Sequence, residues 1–232
     1  MDENLVFTYR FKLQDKEKVF TIVLDKENLQ LVQEEKTSYP SWVLLEKYQC
    51  NICPLDKNEQ QYCPMAKSLL EVVEFFKDSI SYEKTDIIVE TPTRNYSKNT
   101  SLQKGLSSLL GIYMVSCGCP ITEKLRPVVR FHLPFATLEE TKVRIISTYL
   151  LAQYLRVLKN KKPDWNLSEL VKIYNRIKTV NESFCKRLSL VINKDANANA
   201  VIILNCFAES ILFSLNKRIL QKELGSIFKQ YL

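Results

Sequence analysis

SCGCP, residues 116–120, is the stretch around which the rest of the chain is arranged. It places two thiols on either side of Gly118 and continues into LRPVVRFHLPF, residues 125–135. A second thiol group lies upstream, within residues 50–63. Cysteines in turn-rich sequence are more typical of metal ligands than of core residues. We therefore predict that the two thiol groups meet in the fold and hold a metal.

The predicted metal ligands are four cysteines. Cys50 and Cys53 form a CxxC pair, whose thiolates can bind one ion from a tight turn. Cys63 can close a loop back onto that pair, and Cys119 is the best-placed fourth ligand, with Cys117 as the alternative. Four thiolates suit zinc. A 4Fe–4S iron–sulfur cluster is the alternative cofactor, because proline follows three of these cysteines, as in ferredoxin motifs.

Two other interpretations of the cysteines stay open. The spacing is less regular than two CxxC knuckles, so the thiols could instead be reduced and packed as small hydrophobic side chains. A thiol–disulfide site is less favoured, because the CxxC pair lacks the strand-to-helix setting that lowers a thiol pKa. Cys185 and Cys206 lie inside helical patterns, and we expect both in the core.

The segment after Cys119 contains the chain's only histidine, His132, between apolar neighbours. Such a setting is typical of a structural histidine and not of a catalytic base. If the segment is extended, Arg126, Arg130 and His132 share one strand face and could bind an anion, unless nearby glutamates pair with the arginines. Because no nucleophile motif accompanies this histidine, the sequence does not favour a self-contained hydrolase or transferase site.

The N-terminal part of the sequence predicts a small antiparallel sheet. Residues 5–12 and 19–24 alternate apolar and polar side chains, which predicts a hairpin around a polar turn at residues 14–17. We predict a third strand at residues 29–32, and residues 86–91 form another short β-rich run.

The rest of the chain predicts helices. TSLQ at residues 100–103 resembles a capping box that opens a helix through Val115. Capping sequences and apolar spacing predict three further long antiparallel helices, at residues 137–158, 167–192 and 197–222. The predicted fold is therefore α+β. An α+β part with a Cys-rich loop, residues 1–120, precedes a helical part, residues 121–232, and the two form one integrated domain.

The charge of the chain is uneven. The net charge of the 232 residues is +7, but residues 1–120 hold 14 Lys and Arg against 17 Asp and Glu, whereas residues 121–232 hold 19 against 9. A basic half can bind an anionic partner such as nucleic acid. Solvated helix faces explain the charge better, because no aromatic or glycine-rich binding signature accompanies it.

The sequence also gives expectations about location. The start, MDEN, is acidic and no apolar stretch follows it, so we expect no signal peptide. The longest uninterrupted apolar runs are too short to span a bilayer, so we expect no transmembrane segment. The expected location is the cytoplasm, where a protein partner is more plausible than a membrane.

Several motifs carry a resemblance. They are CPL at 53–55, CP at 63–64, LSSLLGIYM at 106–114, GCP at 118–120, LRP at 125–127, RFHLPFAT at 130–137 and DANANA at 195–200. In these motifs the chain resembles a family of uncharacterised bacterial proteins. The resemblance spans nearly the whole chain and implies a bacterial, cytosolic source, but it implies no activity. The family's usual form has a hydroxyl residue where Cys117 stands, which favours Cys119 as the ligand.

Three functional hypotheses follow from the sequence. The first is a cytosolic metal-binding protein with a regulatory, sensor or adaptor role, in which the metal joins the α+β half to the helical half. The second is an iron–sulfur or thiol redox enzyme. The third is a module that binds an anionic partner through its basic helical half. Metal content and the visible absorption spectrum distinguish the first two, and salt-sensitive binding marks the third.

Overall fold

The computed structural model describes residues 4–14 and 16–231 of the chain. Its N-terminal part is an antiparallel four-stranded sheet in the order β2-β1-β3-β4. The strands are β1 (Asn4–Lys12), β2 (Glu17–Asp25), β3 (Lys84–Glu90) and β4 (Asn95–Ser101). The predicted hairpin is β1 and β2, although Asp15 in its turn lies outside the described residues. The α+β class predicted from the sequence is confirmed.

Alternation along the strands gives the sheet one buried face. Buried on that face are Phe7, Tyr9, Phe11, Phe20, Ile22, Leu24, Ile87 and Val89. The predicted third strand at residues 29–32 is wrong, because only Leu31 pairs there, in an isolated bridge with Leu24. The sequence did not indicate β4, which is polar and mostly exposed and is held by its backbone pairing with β3.

Eight α-helices follow the hairpin within residues 16–231. They are α1 (Pro64–Ser68), α2 (Leu70–Phe76), α3 (Leu102–Ser116), α4 (Arg126–Arg130), α5 (Leu138–Leu158), α6 (Ser168–Leu188), α7 (Ala196–Ser214) and α8 (Lys217–Leu224). The predicted helix at residues 197–222 is in fact two helices, because the chain leaves helical geometry at Asn216, whose side chain then caps α8.

The first turns of the long helices α5, α6 and α3 are capped in different ways. Thr137 and Glu140 form the predicted capping box at the start of α5. The cap of α6 is Asp164, whose carboxylate accepts hydrogen bonds from the backbone N–H groups of Ser168 and Glu169. At α3, Ser101 occupies the N-cap position without a side-chain cap bond.

The long helix α3 lies at the centre of the fold. It contacts β3 and β4 of the sheet and packs against α7, which in turn packs against α6. Buried residues of the sheet, of α2 and α3, and of α6 and α7 form one continuous hydrophobic core. A second core cluster joins α5, α6, α7 and α8. The core therefore includes residues from both the 1–120 and the 121–232 parts.

One helix in the described part of the chain, α7, is long and apolar enough to cross a membrane. Core helices of soluble proteins pass the same test of length and composition. In this fold α7 packs against α3 and α6 and contributes the buried residues Ala200, Val201 and Ile211.

The approach of α3 to the sheet depends on Gly105, and this gives a first prediction. We expect Gly105→Ala to lower the free energy of unfolding by about 1–3 kcal/mol, because the added methyl would overlap Ile87 and crowd Phe11. Gly111→Ala in the same helix is the matched control. Its methyl would meet only Leu204, at 3.7 Å, so the better helix propensity of alanine should raise stability by up to about 1 kcal/mol. Denaturant unfolding measures both; equal destabilisation by the two changes would contradict the close-approach explanation.

Candidate metal centre

The Cys-rich segment, residues 43–63, is folded back on itself by backbone hydrogen bonds. The N–H of Cys63 donates to the carbonyl of Val43 at 2.9 Å, and the N–H of Leu45 donates to the carbonyl of Gln61 at 2.9 Å. The N–H of Cys53 donates to the carbonyl of Cys50 at 2.9 Å, which closes the CxxC pair into a tight turn. These bonds return Cys63, at the start of α1, to the neighbourhood of that pair.

Four cysteines line one small cavity of about 20 Å³: Cys50, Cys53, Cys63 and Cys119. Cys119 reaches it from the turn after α3. In that turn Gly118 has a φ of 90°, a conformation that favours glycine because it lacks Cβ. Electrostatic repulsion from Cys63, Cys53 and Cys119 raises the pKa of Cys50, and repulsion from Cys119 raises that of Cys63. The structure thus brings together three thiols of the Cys-rich segment and one from the turn after α3.

The thiols do not converge on a single point in this conformation. Across residues 4–14 and 16–231, no group of three or more His, Cys, Asp or Glu side chains has the arrangement needed to hold a metal ion. Residues 49–61, which carry the CxxC pair, contain turns but no helix or strand. A shared ion would therefore require the thiols to move closer together.

A buried arginine forms part of the cavity wall. Arg187, on α6, is 2% exposed and lines the cavity with the four cysteines. Its guanidinium donates to the carbonyls of Trp42 at 2.5 Å, Leu44 at 2.9 Å and Tyr48 at 2.7 Å. No carboxylate of the described residues forms an ion pair with it. Arg187 thus anchors the start of the Cys-rich segment to α6 and leaves a positive charge beside the thiols.

The surroundings of Cys50 and Cys63 favour protonated thiols when no cation is present. Burial, followed by repulsion from Cys63, raises the pKa of Cys50 to about 11, although a hydrogen bond with Ser183 opposes the shift. Burial likewise raises the pKa of Cys63, and the positive charge of Arg187 partly offsets it. A bound metal would therefore have to displace protons, as is usual for thiolate sites.

The other three cysteines lie outside this cavity. The Cys117 thiol donates to the carbonyl of Met114 at 3.3 Å, and Cys117 does not line the cavity. Cys185 is partly buried and packs against the main core, its thiol 3.9 Å from the carbonyl of Ala198. The expectation that Cys206 lies in the core is wrong, because this side of α7 is exposed.

The three residues that the sequence suggested as an anion-binding group do not lie together in the structure. The segment with Arg126 and Arg130 is the helix α4 and not a strand, since Pro127 suits the first turn of a helix. Arg126 forms an ion pair with Glu123 at 3.6 Å. Arg130 donates to the carbonyl of Lys26 at 2.6 Å. His132 lies beyond the helix and does not share their contacts.

The His132 ring contacts the sheet. Its Nε2 forms a hydrogen bond of 2.6 Å with the hydroxyl of Tyr9, which also bonds Ser108 at 2.8 Å. The ring meets Phe7 edge to face, with centroids 5.6 Å apart. Burial lowers the pKa of His132 to about 3, so the ring is neutral at physiological pH. Phe131, which precedes His132 in the sequence, is 75% exposed and leaves the packing of the ring to the sheet.

Arg187 and Ser183 were not predicted from the sequence to lie beside the cysteines. The available signal was the position of Arg187 within α6, three residues after Phe184 and beside Leu188, on the apolar face of an otherwise regular amphipathic helix. A charged residue in such a position needs buried partners. Those partners are carbonyls more than 130 residues away in the sequence, so only the fold identifies them.

Comparisons with known proteins identify a family for the chain but give no activity. Residues 7–229 match a family described as "Domain of unknown function (DUF6901)". No curated protein matches the chain. No solved structure matches it either.

Proposed function

The chain belongs to the DUF6901 family of domains of unknown function, and we propose that it is a metal-binding protein in which Cys50, Cys53, Cys63 and Cys119 hold one zinc ion. The observation that carries the proposal is the common cavity. Three thiols of the Cys-rich segment and one from the turn after α3 line it, whereas Cys117, Cys185 and Cys206 do not.

The charge around the cavity supports thiolate ligands. Four thiolates carry more negative charge than one zinc ion neutralises, and a buried excess of charge is costly. Arg187 supplies a nearby positive charge that no carboxylate of the described residues neutralises, and it already favours the thiolate form of Cys63. The backbone N–H groups of Met65 and Ala66 also donate toward the Cys63 sulfur.

The size of the cavity favours a single ion over an iron–sulfur cluster. About 20 Å³ is roughly the space that one water molecule requires. A cluster of several iron and sulfide atoms would need a larger cavity than this one. A single ion would fit once the thiols, two of them in the turn-rich residues 49–61, move toward it. The redox-enzyme hypothesis is therefore the weaker of the two.

The position of the site suggests a structural role for the ion. It would tie the Cys-rich segment to the turn after α3, both within residues 1–120, at a cavity whose wall also includes Arg187 of α6 from the helical part. The resemblance of the motifs to bacterial proteins is the basis for proposing that the protein is bacterial and cytoplasmic. We infer that it has a regulatory or adaptor role there and acts with a protein partner. The basic residues of the helical half would then be solvent-facing and not a nucleic-acid surface.

X-ray absorption at the zinc edge tests the proposal on protein purified with its native metal. We expect about four sulfur neighbours at roughly 2.3 Å from zinc. A shell dominated by nitrogen or oxygen would contradict the four-thiolate site. Iron with a visible absorption band would favour the cluster alternative.

A further inference from the structure

A second cavity, far larger than the cysteine cavity, lies among the helices. Its volume is about 560 Å³, within the range typical of small-molecule sites. Residues of α3, α4, α5, α6 and α7 form its walls, and most of them are apolar. The apolar lining includes Met114, Leu125, Val128, Ile145, Ile177 and Phe207. The cavity can therefore accommodate a mainly hydrocarbon molecule.

The charged residues of this cavity are all positive. Arg144, Lys98 and Lys104 line it, and no Asp or Glu of the described residues does. The two lysines are exposed, whereas the Nε atom of Arg144 is buried. Glu140, one turn before Arg144 on α5, accepts hydrogen bonds from Thr137 in the capping box and also interacts electrostatically with Arg144 and Lys98. An anionic group inside the cavity would therefore meet three positive side chains, whose charge Glu140 offsets only in part.

Two buried hydrogen-bond donors in this cavity lack partners. The Tyr174 hydroxyl, on a side chain that is 2% exposed, has no hydrogen-bond partner. The Arg144 Nε has none either, although its Nη2 donates to the carbonyl of Val128 at 3.0 Å. The two groups are close enough to interact electrostatically. Buried donors left without acceptors are costly, so this pair indicates an absent acceptor.

Two other polar side chains of the cavity wall already have hydrogen-bond partners. His132 and Ser108 both form hydrogen bonds with Tyr9, and Ser108 also accepts from the N–H of Phe135 at 3.4 Å. Arg144 Nε and the Tyr174 hydroxyl, which have no partner, are the groups toward which a ligand's polar group would be directed.

We propose that this cavity binds an amphipathic monocarboxylate, a fatty acid on the order of ten to sixteen carbons long. Its carboxylate accepts hydrogen bonds from Arg144 Nε and the Tyr174 hydroxyl, and its chain occupies the apolar space between α3, α5 and α7. Lys98 and Lys104 attract the anion at the exposed edge. The site is separate from the cysteine cavity and does not depend on the bound metal.

Calorimetric titration of the full chain with dodecanoate, below its micelle concentration, tests the proposal. We expect saturable binding of one molecule per chain. Dodecanol and dodecyltrimethylammonium should bind at least about tenfold more weakly, because neither supplies an anionic acceptor. Arg144→Gln should weaken dodecanoate binding at least about tenfold, and Tyr174→Phe about three- to tenfold. Arg176→Gln, on an exposed part of α6, is the matched control and should leave binding unchanged.

Several results would overturn this site. Equal affinity for dodecanol and dodecanoate would remove the anion-binding role of Arg144 and Tyr174. Binding that survives Tyr174→Phe and Arg144→Gln unchanged, or no binding to the wild-type chain, would do the same. Thermal melts accompany each variant, and Tyr174→Phe keeps the ring and so isolates the hydroxyl even if Arg144→Gln fails to fold.

Discussion

Arg187→Leu is expected to lower the free energy of unfolding by about 3–5 kcal/mol. Leucine fills part of the space but leaves the carbonyls of Trp42, Leu44 and Tyr48 without their donor. These carbonyls hold the start of the Cys-rich segment against α6, so the segment should also become more accessible. Denaturant unfolding measures the loss of stability, and limited proteolysis within residues 43–63 measures the accessibility.

Lys186→Leu is the matched control for that change. It removes a positive charge from the neighbouring, exposed position of α6 and should alter stability by no more than about 0.5 kcal/mol. Arg187→Lys should fall between the two, because lysine keeps the charge but cannot reach three carbonyls with the geometry of a guanidinium. If Arg187→Leu were as mild as the control, Arg187 would not anchor the segment.

The sequence predicted those parts of the fold whose signal is local. The β1–β2 hairpin follows from strict alternation around a polar turn, and α5 follows from a capping box and a helical period. The polar strand β4 could not be predicted, because its place in the sheet depends on pairing with β3 and not on its own residues. The break at Asn216 was missed because apolar spacing continues on both sides of it.

The candidate site shows the same limit. The position of Cys119 after Gly118 and the family resemblance favoured Cys119 over the alternative Cys117 as the partner of the CxxC pair, and the structure places Cys119 in their cavity. Arg187 could not be chosen, since its role comes from three backbone carbonyls of a distant segment. The larger cavity was likewise hidden, because Arg144 and Tyr174 lie on separate helices and neither belongs to a recognisable motif.

Removal of the proposed zinc ion should lower the stability of the fold strongly without altering any core side chain. A ligand present at about a thousand times its dissociation constant stabilises a fold by about 4 kcal/mol. For a chain of this size that corresponds to a fall of about 8–16 °C in the melting temperature on metal removal. The melting temperature of Cys119→Ser should therefore be about 8–16 °C below that of the wild type, and a chelator should lower it little further.

Cys117→Ser is the matched control, since it changes the neighbouring thiol outside the cavity and leaves all four proposed ligands in place. It should retain zinc and the wild-type response to a chelator, as should Cys185→Ser.

The zinc content per folded chain, determined by elemental mass spectrometry on the wild type, Cys117→Ser and Cys119→Ser purified side by side, tests the central claim most directly. The four-thiolate site predicts one zinc per chain in the first two proteins and a large loss in the third. Equal zinc content in all three, or none in the wild type after expression with added zinc, would contradict it.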